Sequence, residues 1–338
     1  MKIIVDNQIP FLEDFLTSFY VRDEIILLPT SEINRDIVKD ADALFVRTRT
    51  RCNASLLGGS NVRFIGTATI GMDHIDIPWC EANGIAVVNA PGSNASGVML
   101  YTAATLLISG FVPGKHTLGV VGKGSIGSLV TQIFRNAGTK VIVSDPPRAD
   151  SGLTDENYLP LQTLLESCDA VSFHVPYTEE GPYPTRNLLN GRIPENVKII
   201  VNASRGGVVE PGVILREGGR RKLVIDTWPF EDSADEYDTR QRQELLDSAF
   251  IATPHIAGYT MEGKLNASRM VYESFREFTA NLKGEEYTKP APSPAFIPNL
   301  DELPIGYDPL ILSQELKTHP DTFEQMRADH LFGKNNRK

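Results

Sequence analysis

Short apolar runs rich in β-branched residues recur through the first 90 residues, and turn-forming or helix-forming residues separate them. An apolar run without polar alternation predicts a strand that helices cover on both faces, as in a parallel sheet. The five runs lie at Ile3–Val5, Ile25–Leu28, Ala43–Val46, Arg63–Gly66 and Ala86–Val88. They predict one α/β unit in the N-terminal part of the chain.

A second series of strands follows an apolar helical stretch at Val98–Leu107 that ends near Gly110. Its six runs lie at Thr117–Val121, Val141–Val143, Ala170–Phe173, Ile199–Val201, Leu223–Ile225 and Phe250–Ala252. Six strands separated by helices predict a doubly wound parallel sheet. Beyond Lys283 prolines interrupt the chain, and we expect one helix at Asp321–Leu331 in a tail too small to fold alone.

Charge and cysteine content narrow the class of protein. The net charge of −10 argues against nucleic acid or an anionic membrane as a partner. No run approaches the ~18 apolar residues of a membrane span, and Ile3–Val5 is too short for a signal peptide. Cys52, Cys80 and Cys168 lack the spacing of a disulfide framework or a zinc site. We therefore expect a cytoplasmic protein without a metal site.

A glycine-rich turn follows the first strand of the second series. The segment Gly122-Lys123-Gly124-Ser125-Ile126-Gly127 places G-x-G-x-x-G between a strand and a helix, as in dinucleotide-binding sites. Gly122 permits the tight turn, Gly124 lets a pyrophosphate approach the backbone, and Gly127 lets the helix pack closely on the sheet. Ser125 and Ile126 begin that helix, whose N-terminal amides would hold the pyrophosphate.

An acid at the end of the next strand indicates which dinucleotide binds. Asp145 lies eighteen residues beyond Gly127, where a carboxylate accepts hydrogen bonds from ribose hydroxyls. Its charge would repel a 2′-phosphate, and Pro146 and Pro147 lack amide donors, so the sequence favours NAD over NADP. Arg148 leaves NADP open, because its side chain could reach a 2′-phosphate.

Three residues with complementary chemistry follow three consecutive strands: Arg205, Glu231 and His255. Ligands of such sheets bind beyond the carboxyl ends of the strands, so these side chains can converge there. His255 suits the base for a hydroxyl proton, Glu231 could orient the imidazole, and Arg205 could bind a carboxylate. Each also has an ordinary alternative: a structural histidine, an acidic surface loop and a surface salt bridge.

Five ordered motifs resemble those of the D-2-hydroxyacid dehydrogenases over roughly residues 1 to 285. They are the glycine loop, Phe173-His174-Val175-Pro176, Asn202-Ala203-Ser204-Arg205-Gly206-Gly207, Asp226-Thr227-Trp228 with Glu231, and Thr253-Pro254-His255. The resemblance implies a Rossmann NAD-binding domain at 96–255 inserted in a flavodoxin-like α/β substrate domain at 1–95 and 256–285. It also implies a C-terminal extension at 286–338 that serves as a dimerisation segment.

Narrower features resemble one branch of this family, notably Asp145–Asp150, Gly181-Pro182-Tyr183 and His255–Thr260. That branch oxidises 4-phospho-D-erythronate to (R)-3-hydroxy-2-oxo-4-phosphobutanoate in pyridoxal 5′-phosphate (vitamin B6) biosynthesis, typically as a homodimer with a longer tail. The resemblance makes Arg205 and Glu231 active-site residues and His255 the proton donor and acceptor. It implies NAD contacts from Asp145, Val175, Ala203, Ser204, Arg205, Asp226 and Gly258, and substrate contacts from Thr48, Thr69 and Tyr259.

Three arginines alternate after the strand at Ala43–Val46: Arg47, Arg49 and Arg51. In an extended backbone they would share one face. Such a cluster in an acidic chain predicts attraction of a phosphorylated substrate, with Arg47 as a binding residue. A solvated strand end is the alternative.

Two other functions stay open at the level of sequence. The first is another D-2-hydroxyacid dehydrogenase, of the phosphoglycerate or glyoxylate/hydroxypyruvate type. The second is a non-enzymatic NAD-sensing interaction protein on the same fold. The presence of Arg205, Glu231 and His255 favours an enzyme.

Overall fold

The structure, a computed structural model, describes residues 1–231, 236–290 and 297–331. The chain divides into two compact units. Unit 1 comprises Met1–Asn94 and Thr260–Pro294, and unit 2 comprises Ala95–Tyr259 and Ala295–Lys338. The chain therefore leaves unit 1 after Asn94 and returns to it at Thr260, and its last part belongs to unit 2 again.

Eleven strands and thirteen helices make up the regular structure of the described residues. The strands are β1 Lys2–Asp6, β2 Glu24–Leu28, β3 Ala43–Val46, β4 Phe64–Thr67, β5 Ala86–Val88, β6 Thr117–Val121, β7 Lys140–Ser144, β8 Ala170–Phe173, β9 Ile199–Asn202, β10 Lys222–Ile225 and β11 Ile251–Ala252. The helices are α1 Leu12–Phe19, α2 Arg35–Val38, α3 Ala54–Leu57, α4 Ile77–Ala82, α5 Ala95–Ile108, α6 Ser125–Asn136, α7 Pro146–Asp150, α8 Leu161–Ser167, α9 Pro211–Glu217, α10 Thr239–Ser248, α11 Met261–Lys283, α12 Pro309–Thr318 and α13 Phe323–Leu331.

Unit 1 is a five-stranded parallel sheet in the order β2-β1-β3-β4-β5, the order of flavodoxin-like folds. On one face α1 and α11 cover an aromatic cluster, in which the Phe64 and Phe275 ring centroids lie 4.9 Å apart. A second apolar cluster that includes Val38, Leu57 and Cys80 covers the other face. Because both faces are buried, the strands carry the uninterrupted apolar runs seen in the sequence.

Unit 2 is a six-stranded parallel sheet in the order β11-β10-β9-β8-β6-β7. The chain adds β7 on one side of β6 and then crosses to add β8 on the other side, so the winding direction changes beside β6. Apolar clusters cover both faces of this sheet. A crevice at such a switch point is where doubly wound sheets bind ligands, and the glycine loop follows β6 at this place.

The tail packs on unit 2 through α12. Leu312 and Leu316 of this helix are buried in the core cluster of the unit. The Ser313 hydroxyl accepts the backbone N–H of Ala252 at 2.9 Å, so the helix satisfies a donor of the edge strand β11. Covering an edge strand in this way protects it from pairing with other chains.

The structure confirms the predicted strands, whose bounds differ by no more than one residue from the apolar runs. The tail holds two helices rather than the one expected, since α12 was not predicted. Its start signals are Asp308, which accepts the N–H of Leu310 at 2.8 Å, and Pro309 in the first turn. None of the described helices is long and apolar enough to cross a membrane.

Two leucine-sized side chains of α12 provide a matched test of how firmly the tail is attached. Leu316 is 0% exposed, whereas Ile311 is 64% exposed. We expect Leu316→Ala to destabilise unit 2 by about 3 kcal/mol, because it leaves a cavity in the core. Ile311→Ala should change stability by about 0.5 kcal/mol or less. Urea unfolding followed through the buried Trp228 measures both; equal effects would contradict this packing.

Candidate active site

The glycine loop between β6 and α6 has no room for side chains at two of its three glycines. Gly122 has φ +89, and a Cβ built on it would lie 2.5 Å from the carbonyl oxygen of His174. A Cβ on Gly127 would lie 1.9 Å from the carbonyl oxygen of Gly122. Around Gly124, by contrast, nothing lies within 4 Å of such a Cβ. The loop therefore presents open space at the N-terminus of α6, where a pyrophosphate would meet backbone amides.

Asp145 caps α7 and faces the glycine loop. Its two carboxylate oxygens accept the backbone N–H of Lys123 at 2.7 Å and that of Arg148 at 3.2 Å. These bonds fix the carboxylate and leave acceptor capacity for the hydroxyls of a ribose. The structure therefore places Asp145 beside the glycine loop, and its contact with a ribose stays a prediction.

The two cationic side chains near Asp145, Arg148 and Lys123, form ion pairs with acidic side chains. The Arg148 guanidinium donates to the Tyr158 hydroxyl at 3.0 Å and lies 3.5 Å from Asp155. The Lys123 ammonium lies 3.0 Å from Asp155 and 3.1 Å from Glu156. Arg148, which leaves NADP open at the level of sequence, is thus engaged by Tyr158 and Asp155.

His255 and Glu231 form a hydrogen-bonded ion pair, with 2.7 Å between the imidazole Nδ1 and the carboxylate Oε2. The other oxygen of Glu231 accepts the Trp228 N–H at 2.7 Å, which fixes the carboxylate. Because a carboxylate only accepts, Nδ1 carries the proton and Nε2 is the nitrogen that titrates.

Burial and charge act in opposite directions on this pair. Burial lowers the pKa of His255, but the charge and hydrogen bond of Glu231 outweigh it and raise the net pKa above its usual range. Burial raises the pKa of Glu231, but the charge and hydrogen bond of His255 outweigh it and lower the net pKa. A histidine held in this way can accept a proton at Nε2 and return it.

The loop that carries His255 is held by the buried carboxylate of Asp226. This carboxylate accepts the Thr253 hydroxyl at 2.6 Å and the N–H groups of Ile256 and Ala257, both at 2.9 Å. His255 itself has φ +56, a left-handed conformation that costs an L-residue about 1 kcal/mol. The bonds on either side of His255 hold it there. Burial raises the pKa of Asp226, and the His255 charge and these donors oppose that shift.

Two further side chains extend this support. The Thr253 hydroxyl has one proton, which it donates to Asp226, so the Tyr101 hydroxyl donates to Thr253 at 2.6 Å. The Trp228 indole donates to the Thr253 carbonyl at 2.9 Å. A buried relay therefore connects α5 and the loop after β10 with the loop of His255.

Arg205 follows β9, and its loop lies directly against the loop of Glu231. A Cβ on Gly206 would lie 2.1 Å from the carbonyl carbon and oxygen of Trp228. The Arg205 guanidinium donates to the carbonyl of Ser204 at 2.8 Å rather than to the His255–Glu231 pair. Strands β9, β10 and β11 are adjacent and parallel, so the predicted trio follows the carboxyl ends of three neighbouring strands.

The other residues predicted for NAD in unit 2 lie along the same edge. Val175 contacts the turn at Gly122, where a built Cβ would lie 2.8 Å from its side chain. Ala203 is buried, and the Ser204 hydroxyl donates to Asn202 at 2.8 Å. Gly258 lies in the turn after His255. Asp226 commits its carboxylate to protein donors, so its contact with NAD stays a prediction, as do the others.

The predicted substrate residues of unit 1 lie in two segments after neighbouring strands. The Thr69 hydroxyl donates to the carbonyl of Gly71 at 3.0 Å and lies 2.7 Å from the Thr67 hydroxyl, while Thr48 is exposed.

Arg47, the predicted phosphate-binding arginine, donates to Gln8 at 2.5 Å. The expectation that Arg47, Arg49 and Arg51 share one face of extended backbone is wrong, because a turn over 48–50 bonds the Thr50 N–H to the Arg47 carbonyl at 3.2 Å.

Sequence reasoning missed three contributors to this centre: the anchoring role of Asp226, the Tyr101 hydroxyl, and Arg327 of α13. The Arg327 guanidinium donates to the Tyr259 hydroxyl at 2.9 Å and lies 3.6 Å from Glu231. A signal was present for Asp226, which belongs to one of the five motifs, but that motif does not show that its carboxylate anchors the loop of His255.

Comparisons with known proteins show what the chain is similar to. The family model for the D-isomer specific 2-hydroxyacid dehydrogenase catalytic domain matches residues 4–289. The chain is 38% identical to a protein named erythronate-4-phosphate dehydrogenase from Bacteroides thetaiotaomicron, over 98% of this chain and 96% of the relative. It is 36% identical to one of the same name from Escherichia coli O157:H7, over 88% of this chain and 78% of the relative.

Solved structures show the same fold. An NAD⁺-bound 3-phosphoglycerate dehydrogenase from Entamoeba histolytica has a TM-score of 0.66 and 26% identity, covering 83% of this chain and 96% of that chain. A D-lactate dehydrogenase from Aquifex aeolicus, complexed with NAD and lactic acid, has a TM-score of 0.66 and 24% identity, covering 84% and 98%. The predicted fold class is confirmed.

The ion pair of the site can be tested by titration. We expect Glu231→Gln to lower the pKa of His255, because the neutral amide removes the charge that opposes burial. NMR of the histidine ring carbons across pH measures this shift. The matched control is Glu244→Gln, which removes the charge of an exposed pair with Arg240 and should leave the His255 titration unchanged. An unchanged pKa in Glu231→Gln would refute the pairing.

Proposed function

The chain belongs to the D-isomer specific 2-hydroxyacid dehydrogenases, and from this we propose that it oxidises 4-phospho-D-erythronate to (R)-3-hydroxy-2-oxo-4-phosphobutanoate with NAD. This reaction belongs to pyridoxal 5′-phosphate biosynthesis. The observation that carries the chemistry is the 2.7 Å contact between His255 and Glu231 beside the edge of the dinucleotide-binding sheet. The similarity along almost the whole length of a relative of that name supports the choice of substrate.

Each residue of the centre has a distinct part in this proposal. When bound, NAD supplies the hydride acceptor. The Nε2 atom of His255 removes the proton of the C2 hydroxyl, and Glu231 stabilises the imidazolium that results. Arg205 binds the carboxylate of the substrate and polarises the reacting oxygen. Reduction in the opposite direction uses the same histidine as the acid.

The residues around the glycine loop fit NAD. Gly124 leaves space for the pyrophosphate at the N-terminus of α6. Asp145 binds the ribose hydroxyls and repels a 2′-phosphate, and Arg148 is paired with Asp155. The proposed contacts also include Ser125, Ile126, Val175, Ala203, Ser204, Asp226 and Gly258.

Three further features belong to the proposal. Thr48, Thr69 and Tyr259 contact the substrate, and Arg47 contributes positive charge for its phosphate. The enzyme acts in the cytoplasm as a homodimer in which the C-terminal extension takes part in assembly. The proposed domains are the NAD-binding domain at 96–255, the substrate domain at 1–95 and 256–285, and the C-terminal extension at 286–338.

A substrate panel tests the reaction. Purified protein receives NAD with 4-phosphoerythronate, 3-phosphoglycerate or glycerate, and NADH absorbance is recorded. We expect the highest kcat/KM with 4-phosphoerythronate and with NAD rather than NADP. Much faster turnover of either other acid would assign a different member of the family, and binding of NAD without turnover of any acid would favour a sensor.

Replacement of the proposed base tests the mechanism. We expect His255→Ala to lower kcat by about 1,000-fold, because general base catalysis is lost. The Kd for NAD should change by about twofold or less, since the pyrophosphate and ribose contacts remain. His319→Ala is the matched control, because this histidine lies exposed at the end of α12. A His255→Ala variant with near-parent kcat would exclude His255 as the base.

A further inference from the structure

Helix α13 of the tail brings a cation to the catalytic pair. The Arg327 guanidinium donates through Nε to the Tyr259 hydroxyl at 2.9 Å. One of its terminal nitrogens lies 3.6 Å from the carboxylate of Glu231 and 3.4 Å from that of Glu324. Its side chain is only 23% exposed. The guanidinium therefore lies between the Tyr259 hydroxyl and Glu231, the acid that pairs with His255.

The apolar side of α13 is fixed against the same segment. Phe323 and Met326 are buried in the core cluster of unit 2. The Phe323 ring meets Phe230 edge to face at 5.7 Å between centroids, and Phe230 stacks on Trp228 at 5.6 Å. Since Phe230 immediately precedes Glu231, the helix contacts the Glu231 segment through both apolar packing and charge.

The shape of the guanidinium matters for this arrangement. Its donors are fixed in one plane, so a single side chain can bond the phenol with one nitrogen and face the carboxylates with another. A lysine would supply the charge but not both directions. The hydrogen bond to Tyr259 therefore depends on the shape of the guanidinium, whereas the interaction with Glu231 depends on its charge.

Burial and three charged groups act on the pKa of His255: burial opposes the imidazolium, Glu231 and Asp226 favour it, and Arg327 opposes it. Arg327 in addition favours the ionised form of Glu231. The tail thus balances the strong attraction between imidazole and carboxylate, which would otherwise hold the proton on His255 more tightly.

We propose that Arg327 is a positioning residue of the active site, which holds the Tyr259 phenol and the Glu231–His255 pair in their reacting arrangement. The C-terminal extension then serves catalysis directly and not only assembly. The inference rests on the proposed dehydrogenase function, and it deepens that function by assigning a part of the site to the tail.

The test uses the full-length protein with Arg327→Met and Arg327→Lys. We expect Arg327→Met to lower kcat/KM by about 100-fold, since a small displacement of reacting groups has an effect of this size. The rising limb of the pH profile for oxidation should move to higher pH, because loss of the cation raises the pKa of His255, which must be neutral to act as a base. Arg327→Lys keeps the charge, so the limb should stay near that of the parent while kcat remains reduced.

Controls separate positioning from folding and assembly. Arg240→Met makes the same substitution at an exposed arginine of α10 that pairs with Glu244 at 2.8 Å, and it should change neither kcat/KM nor the pH limb. Tyr259→Phe combined with Arg327→Met should lose less than the product of the two single losses, because the two residues act through a shared contact. Thermal midpoint and mass in solution are measured for every variant.

The outcomes are distinct. Unchanged kcat, KM and pH limb in Arg327→Met would overturn the inference, as would a loss of activity that follows a lower thermal midpoint or a change in mass. If the parent prefers another 2-hydroxy acid, the same series is measured with that acid. An error in the proposed substrate then does not count against the proposed role of Arg327. If the parent turns over no acid, NMR titration of His255 decides: Arg327→Met must raise its pKa, and an unchanged pKa refutes the proposal.

Discussion

Three hydrogen bonds to the buried carboxylate of Asp226 determine where His255 can be. The histidine follows the two-residue strand β11 and has a left-handed backbone, so local structure alone would not hold it. Asp226 follows the adjacent strand β10, which makes the anchor part of the sheet. The pairing of β10 with β11 therefore determines the position of the proposed base.

The anchor explains why a carboxylate can be fully buried at this place. A buried charge is costly unless it is hydrogen-bonded, and Asp226 has donors from a hydroxyl and two backbone amides. Tyr101 adds a second layer by bonding to Thr253. The result is a rigid support for one proton-transferring group, which is the preorganisation that catalysis needs.

The glycine loop differs from this anchor, because it depends on glycines that have no side chain. Side chains at Gly122 and Gly127 would collide with backbone, whereas the space beside Gly124 is open. Asp145 is fixed by two backbone amides next to that space. In the proposed function charge favours the unphosphorylated ribose, since Asp145 lies beside this space and Arg148 is engaged by Asp155 and Tyr158.

The sequence by itself determined the eleven strands, since an uninterrupted apolar run is a local record of burial on both faces. It also located Gly122–Gly127, Asp145, Arg205, Glu231 and His255, because each follows a predicted strand end. Only the tertiary structure decided which of these side chains bond, how Asp226 anchors the loop, and that the tail supplies Arg327. It also replaced the extended arginine segment by a turn. The physical reason is distance along the chain: periodicity and turn chemistry act over a few residues, whereas Arg327 and Glu231 lie 96 positions apart in the sequence and meet only in the folded unit.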